Sequence, residues 1–391
     1  MGRVFICGYY NYPRGGAASN YVQYLASIFL SLGKEVYAIT NSNSDFYTDL
    51  KPFSYNGVNI QPYKLSTNKI MHYIEYNYQQ GKYIGRYLRN VGITKEDLLI
   101  AYSRDPHTLS VLLNIGKNTG AKTAVCLVEW FDESNFKKGK ADKDYKRFCR
   151  SFYHMNECFD YILPISSTIK DFYDKKGCKT LCIPCLTDTK EYAVKDKDFS
   201  GKRIFVFPAN GMMKDSLQEM IQAICSIPSA ELKKIEFHVC GAKKMVQSIL
   251  TQLTITKEIN DILILHDWMQ YSELVELYNK AHFMLLARDD SLMTRANFPS
   301  KVPETLTYGI IPICSVVGDY TKYYLSNNED SLFIYGNSID VIKNRILDAI
   351  SLSPEELATM SKKCRCTAKE KFDYRNWIDK INAFFQFGEK Q

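Results

Sequence analysis

Lys301 and Glu304 stand three residues apart in the run FPSKVPETLTYG, residues 298–309, so a helix opened by Pro299 would carry both on one face of its first turn. A helix N-terminus offers free amides and a partial positive charge, which suits a phosphate, and Lys301 adds a full charge beside it. Glu304 could accept hydrogen bonds from sugar or ribose hydroxyls, so the pair outlines a place for a nucleotide joined to a sugar. The elements that must hold it are read from the flanks. Residues 282–287 (HFMLLA) form an apolar run suited to a buried strand and lead into a polar loop. Gly309 ends the helix, and residues 310–315 (IIPICS) return to the sheet. Arg288 leaves the first strand directly into the loop, where its guanidinium could hold a phosphate or pair with Asp289 or Asp290.

Other strands end in polar loops with similar potential. The strand at 203–207 runs into FPANGMMKD, residues 207–215, in which Lys214 is either a second cation for a diphosphate or a surface lysine at a helix start. In the first half, the strand at 4–8 is followed by Arg14, Gly15 and Gly16, whose glycines allow a ligand close to the backbone. The strand at 97–102 leads to Arg104 and His107. Glu129 follows the strand at 122–128, where it could take a proton from a hydroxyl, stabilise developing positive charge, or only pair with Arg104.

These elements alternate as strand and helix along the chain, which requires an α/β fold with parallel sheets. A helix from about Ser19 carries Tyr21, Val22, Leu25, Ile28, Phe29 and Leu32 at helical spacing. Strands are also expected at 34–39, 161–165, 180–183, 236–240 and 262–265. The polar, poorly periodic stretch 187–201 reads as a linker. No G-x-G-x-x-G, Walker loop or G-x-S-x-G occurs, which argues against a dinucleotide fold, a kinase and a hydrolase of those types.

The run at 298–309 resembles the donor-binding signature of retaining glycosyltransferases of family 4, in which it matches the second half of an E-x7-E motif. The loop holding Lys214 is similar to that family's phosphate-binding segment, the Gly15–Gly16 loop to its N-terminal Gly-Gly loop, and Glu129-Trp130 to a pair found in some members. The chain departs from the pattern at Ala296, eight residues before Glu304, where the first glutamate belongs. Arg288, Arg295 or Asp289 are the residues placed to take over its contacts. The resemblance covers most of the chain and is strongest over 264–315.

It implies the GT-B fold: two Rossmann-like domains facing across a cleft, an acceptor-side domain at 1–190, a nucleotide-sugar domain at 200–371, and a C-terminal helix at 372–391 crossing back to the first domain. The implied reaction is metal-independent transfer, with retention, from a nucleoside diphosphate sugar to a saccharide or lipid-linked saccharide. That sugar nucleotide is a co-substrate, and no other cofactor or metal is called for. The catalytic set is Glu129, Lys214 and Lys301. Donor binding falls to Gly211, Lys214, Arg288, Ser300, Lys301, Val302 and Glu304, and acceptor binding to Arg14, Gly15, Gly16, Arg104 and His107. Two other readings stay open: an epimerase of the same fold, and a non-enzymatic nucleotide-sugar-binding subunit, which the missing glutamate keeps in play.

With 391 residues, 46% hydrophobic and 24% charged, the chain can fill two globular domains. Residues 1–190 hold 25 Lys or Arg against 17 Asp or Glu, and the rest hold 25 against 26, so the net charge of +7 arises wholly in the first half. Its densest part, with interleaved aromatics at 137–153, reads either as a solvated helix face or as a contact for an anionic membrane. No nucleic-acid-binding module is recognisable. Twelve cysteines fit a cytoplasmic protein, peripheral at the inner face of the membrane if the basic segment has a lipid partner. Cys182 and Cys185 are expected as small apolar side chains of a buried strand and turn. Asp142-Lys-Asp144 and Asp196-Lys-Asp198 have the D-x-D spacing of metal ligands but sit in lysine-rich polar stretches that favour solvated charge.

Overall fold

A computed structural model describes residues 2–13, 16–41, 51–190, 194–208, 214–253 and 256–387. The chain divides into two compact units, Met1–Leu186 with Tyr374–Gln391, and Thr187–Asp373.

The first unit is built on seven strands: β1 (Arg3–Asn11), β2 (Glu35–Asn41), β3 (Phe53–Tyr55), β4 (Val58–Tyr63), β5 (Leu98–Tyr102), β6 (Lys122–Leu127) and β7 (Tyr161–Pro164). Their order is β3-β4-β2-β1-β5-β6-β7, parallel except for the β3–β4 pair. The second unit has six parallel strands: β8 (Arg203–Pro208), β9 (Ile235–Cys240), β10 (Leu263–His266), β11 (Phe283–Leu286), β12 (Ile311–Ser315) and β13 (Leu332–Ile334), in the order β10-β9-β8-β11-β12-β13. Parallel strands covered on both faces must be apolar throughout, and β5, β11 and β12 are buried along nearly their whole length.

Each sheet reverses its winding once, between β1 and β5 in the first unit and between β8 and β11 in the second. At such a reversal the connections leave to opposite faces, and the carboxyl ends of the two strands frame a crevice for ligands.

The tail belongs with the first unit for a packing reason. Trp377, Ile381 and Phe385 are buried, and the Phe385 ring lies 4.8 Å from Tyr161 and 5.7 Å from Phe29 of the helix Ala17–Ser31.

Two expectations need correction. The stretch 187–201 is not a loose linker, because its described residues are bonded along the second unit. Thr187 N donates to Phe372 O at 2.9 Å, Lys195 N to Asn279 Oδ1 at 3.0 Å, and Lys197 Nζ to the carbonyls of Tyr278 and Ala281. Of its charges, Lys197 satisfies a buried edge instead of water. Residues 180–183 run beside β7 without forming a regular strand: Leu181 N donates to Ile162 O at 3.0 Å and Ile183 N to Pro164 O at 2.9 Å. The basic segment keeps its lysines exposed on a helix that turns only one side inward. Phe148 and Phe152 are buried, and Arg147 pairs with the buried Asp105 and bonds Asn77 O at 3.0 Å. No helix among the described residues is long and apolar enough to cross a membrane.

Candidate functional site

The crevice between β8 and β11 is where the second unit gathers its charge. Asp215 follows β8, and Arg288 follows β11. Lys301 begins the helix Lys301–Thr307 that precedes β12. Asp215 holds both cations: Arg288 Nε donates to Oδ1 at 2.8 Å and Lys301 Nζ to Oδ2 at 2.7 Å. Lys301 Nζ also lies 4.6 Å from the ring centre of Phe207 on β8, a cation–π contact.

The scaffold around this triad is locked. Arg288 Nη1 donates to Asn297 Oδ1 at 3.1 Å, and Arg288 N to Ser315 Oγ at 2.9 Å at the end of β12. Ser216 N bonds Ala287 O at 2.9 Å, joining the two strand ends directly. The helix that carries Lys301 closes at Gly309 with φ of 66°, and a Cβ there would lie 2.4 Å from Ser361 Oγ, so only glycine fits.

Burial makes these charges interdependent. Arg288 is 5% exposed and Lys301 9%. Burial alone would raise the Asp215 carboxyl, but Lys301 and Arg288 outweigh it and hold the group below the usual carboxylate range. Lys301 is pulled down from the ordinary lysine value, chiefly by burial and further by Arg288 and Lys214, with Asp215 opposing. Lys214 is therefore close enough for its charge to be felt. A carboxylate between two cations leaves the triad with one net positive charge, and Lys214 adds a second.

The carboxylate that Arg288 pairs with is Asp215, not the neighbouring Asp289 or Asp290 expected from the sequence. Asp215 itself escaped the sequence reading. Its one visible signal was an acid directly after Lys214, in a loop that otherwise promised only cations. Val302 is fully buried, and its amide donates to Pro299 O at 3.0 Å. Ser300 is the N-cap residue, and Glu304 lies in the first turn. Burial raises the phenol of Tyr278, and the Glu304 charge raises it further. Gly211 lies outside the described residues.

In the first unit, Gly16 caps the helix after β1, while Arg14 and Gly15 lie outside the described residues. Arg104 is exposed and sits over the Phe131 ring at 5.2 Å. His107 turns its ring to the helix Gln80–Val91, where its buried Nδ1 would meet a Cβ at Gly81 within 2.5 Å. Glu129 is half-buried; the Tyr102 phenol at the end of β5 is raised chiefly by burial, and the Glu129 charge adds a little. The D-x-D carboxylates have local work: Asp142 caps the helix Lys143–Arg150, and Asp198 accepts from Ser200 N and Oγ at 2.8 and 2.7 Å.

Residues 188–367 match the family described as glycosyl transferases group 1. Among solved structures, a sucrose-phosphate synthase from Thermosynechococcus elongatus is similar at a TM-score of 0.74 and 14% identity, covering 98% of each chain. HepE from Anabaena, in complex with UDP and glucose, gives a TM-score of 0.72 at 11% identity over 99% of this chain and 100% of its own. The E. coli trehalose-6-phosphate structure bound with UDP-2-fluoro glucose gives 0.69 at 11% identity over 100% of both chains. No curated protein matches the chain. The two parallel-sheet units share the GT-B fold of these structures, and the group 1 match over the second unit supports a glycosyltransferase.

Proposed function

We propose that this protein moves a hexose-type unit from a nucleoside diphosphate sugar to a saccharide or lipid-linked saccharide, with retention and without a metal ion, in the manner of family 4. The observation that carries the reading is the cationic cluster of Asp215, Arg288 and Lys301 at the winding reversal of the second sheet. A departing diphosphate gathers negative charge, and preorganised cations stabilise it at no reorganisation cost. An ammonium has three N–H donors, so Lys301 can keep Asp215 and still donate to a phosphate oxygen. Lys214 is the third cation of the same site.

In the reaction the bond from the anomeric carbon to the phosphate oxygen breaks on the face where the acceptor oxygen bonds. The acceptor's proton passes to the leaving diphosphate or to Glu129. Glu304 takes the ribose hydroxyls. HepE and the E. coli structure carry UDP or a UDP-sugar, which makes UDP the first nucleotide to test.

The experiment is thermal shift with UDP, GDP, ADP and their sugar conjugates in EDTA. A ligand at a hundred times its Kd adds about 2.7 kcal/mol. Stabilisation by one nucleotide in EDTA is the expected result, and a response that returns only with metal overturns the metal-free mechanism. Silence under both conditions overturns the nucleotide-sugar reading. With the donor so identified, Lys301→Ala and Glu304→Ala should each lower kcat/KM roughly 10- to 100-fold, the loss of one charged hydrogen bond. Wild-type turnover in both defeats the site assignment, and isomerisation of donor alone makes the protein an epimerase.

A further inference from the structure

The most unusual surface of the first unit is the short helix Lys69–Ile74 and the turn Glu75–Gln79 that continues it. Its polarity is inverted. Ile70 is 73% exposed, Tyr78 53%, and Met71 and Tyr73 44% each. Ile70, Ile74 and Tyr78 recur every four residues and so share a side. The polar members face inward: Asn77 is 3% exposed and donates to Tyr73 O at 2.8 Å, and His72 bonds Ser66 O at 3.0 Å while stacking with Tyr76. The Tyr76 ring in turn packs edge-on against Tyr9 at the end of β1, 4.7 Å away. The segment is thus anchored by its polar side and displays its apolar side.

A second feature adjoins it. The helix Lys143–Arg150 is fixed to the same turn by Arg147, whose guanidinium lies 5.3 Å from the Tyr78 ring centre and bonds Asn77 O. Lys143, Lys146 and Arg150 of that helix are exposed. Residues 64–89 carry five Lys or Arg and one acid, Glu75. Apolar and tyrosine side chains bordered by lysines match the two layers of an anionic bilayer surface. Acyl chains and the headgroup boundary accept the former, and negative headgroups attract the latter.

We infer that the first unit docks on an anionic lipid surface, with residues 70–78 as the inserted edge and the Lys143–Arg150 helix as the electrostatic contact. The inference reassigns the apolar part of membrane contact from Phe148 and Phe152, which are buried, to Ile70, Met71 and Tyr73. It is independent of the reaction proposed for the second unit, since it rests on residues of the first alone.

The test is co-sedimentation of the full chain with vesicles of phosphatidylcholine alone and of equimolar phosphatidylcholine and phosphatidylglycerol. Wild type should bind only the anionic vesicles. Two variants are compared: Ile70→Ser/Met71→Ser/Tyr73→Ser, and Lys143→Glu/Lys146→Glu. Each should bind about tenfold more weakly or worse, given attraction that accumulates per lysine and per inserted side chain, with an unchanged melting temperature. Absence of wild-type binding, equal binding to neutral vesicles, or unaltered binding in both variants overturns the inference. A wild-type dimer in sedimentation that the serine variant dissociates, without vesicle binding, assigns the patch to a second copy instead. A lowered melting temperature in that variant, again without vesicle binding by wild type, assigns it to the chain's own interior.

Discussion

Arg288 and Lys301 in the second unit and Lys143 and Lys146 in the first are all cations, yet they obey different physics. The former are buried and held by one carboxylate drawn from a third element. The latter stand in water on a helix whose Arg147 reaches inward. A buried cation must be paired, so its position is set to a fraction of an ångström, as a reacting phosphate requires. An exposed cation keeps its water and rotamers, and it acts through a field that tolerates imprecise placement. One region is built for geometry and the other for attraction.

The sharpest way to break the contrast is Asp215→Ala, which leaves two buried cations without their carboxylate. Urea unfolding of the full chain should show a loss of about 3–5 kcal/mol, while a Lys143 and Lys146 charge reversal costs at most a few tenths. An Asp215→Ala chain as stable as wild type would mean that the triad is not buried as described.

A smaller effect should come from His282, which joins 194–201 to the second sheet. Nδ1 accepts the Ile204 amide at 3.0 Å and Nε2 donates to Asp198 O at 2.8 Å, so the ring holds one proton. Burial, with Lys197 and Arg203 adding to it, lowers its pKa to about 4. Between the ordinary value of about 6.5 and 4 the unfolded chain binds a proton that the folded one refuses, so stability falls as pH drops through that window. The full loss is about 3 kcal/mol, read from urea midpoints against pH, and His282→Gln should flatten that slope. An unchanged slope would show that other groups drive the acid transition.

The mildest test is salt. Raising it from about 0.05 to 0.5 M shortens the Debye length from about 14 to 4 Å, which should largely release the protein from anionic vesicles. The stability difference between wild type and Asp215→Ala should move by no more than about 0.5 kcal/mol, since buried pairs are little screened. Equal salt sensitivity in the two measurements would erase the distinction.

Much of the fold was readable because parallel strands covered on both faces are apolar throughout: HFMLLA, IIPICS and their counterparts appear as β11 and β12 within a residue or two. The pair β3 and β4 went unread although Asn56-Gly57 is a hairpin signal. Both residues take positive φ between Tyr55 and Val58, but the strand before them is only three residues long and half exposed. β13, also three residues, escaped for the same reason. In the candidate site, Arg288, Lys301 and Glu304 were legible as residue types after a strand or at a helix start. The partner that organises the first two was not.

What the sequence determined alone is local. It sets the alternation of strands and helices, the three-residue spacing of Lys301 and Glu304, the glycine that ends their helix, and the placement of excess charge in the first half. The tertiary structure decided which groups meet. Asp215 reaches Arg288 across 73 residues and Lys301 across 86, because β8 lies beside β11 in a sheet whose order does not follow the chain. It also decided that Phe148 turns inward while Ile70 stays in water. Strand order and burial follow from the packing of all the elements at once, so no window of sequence carries them.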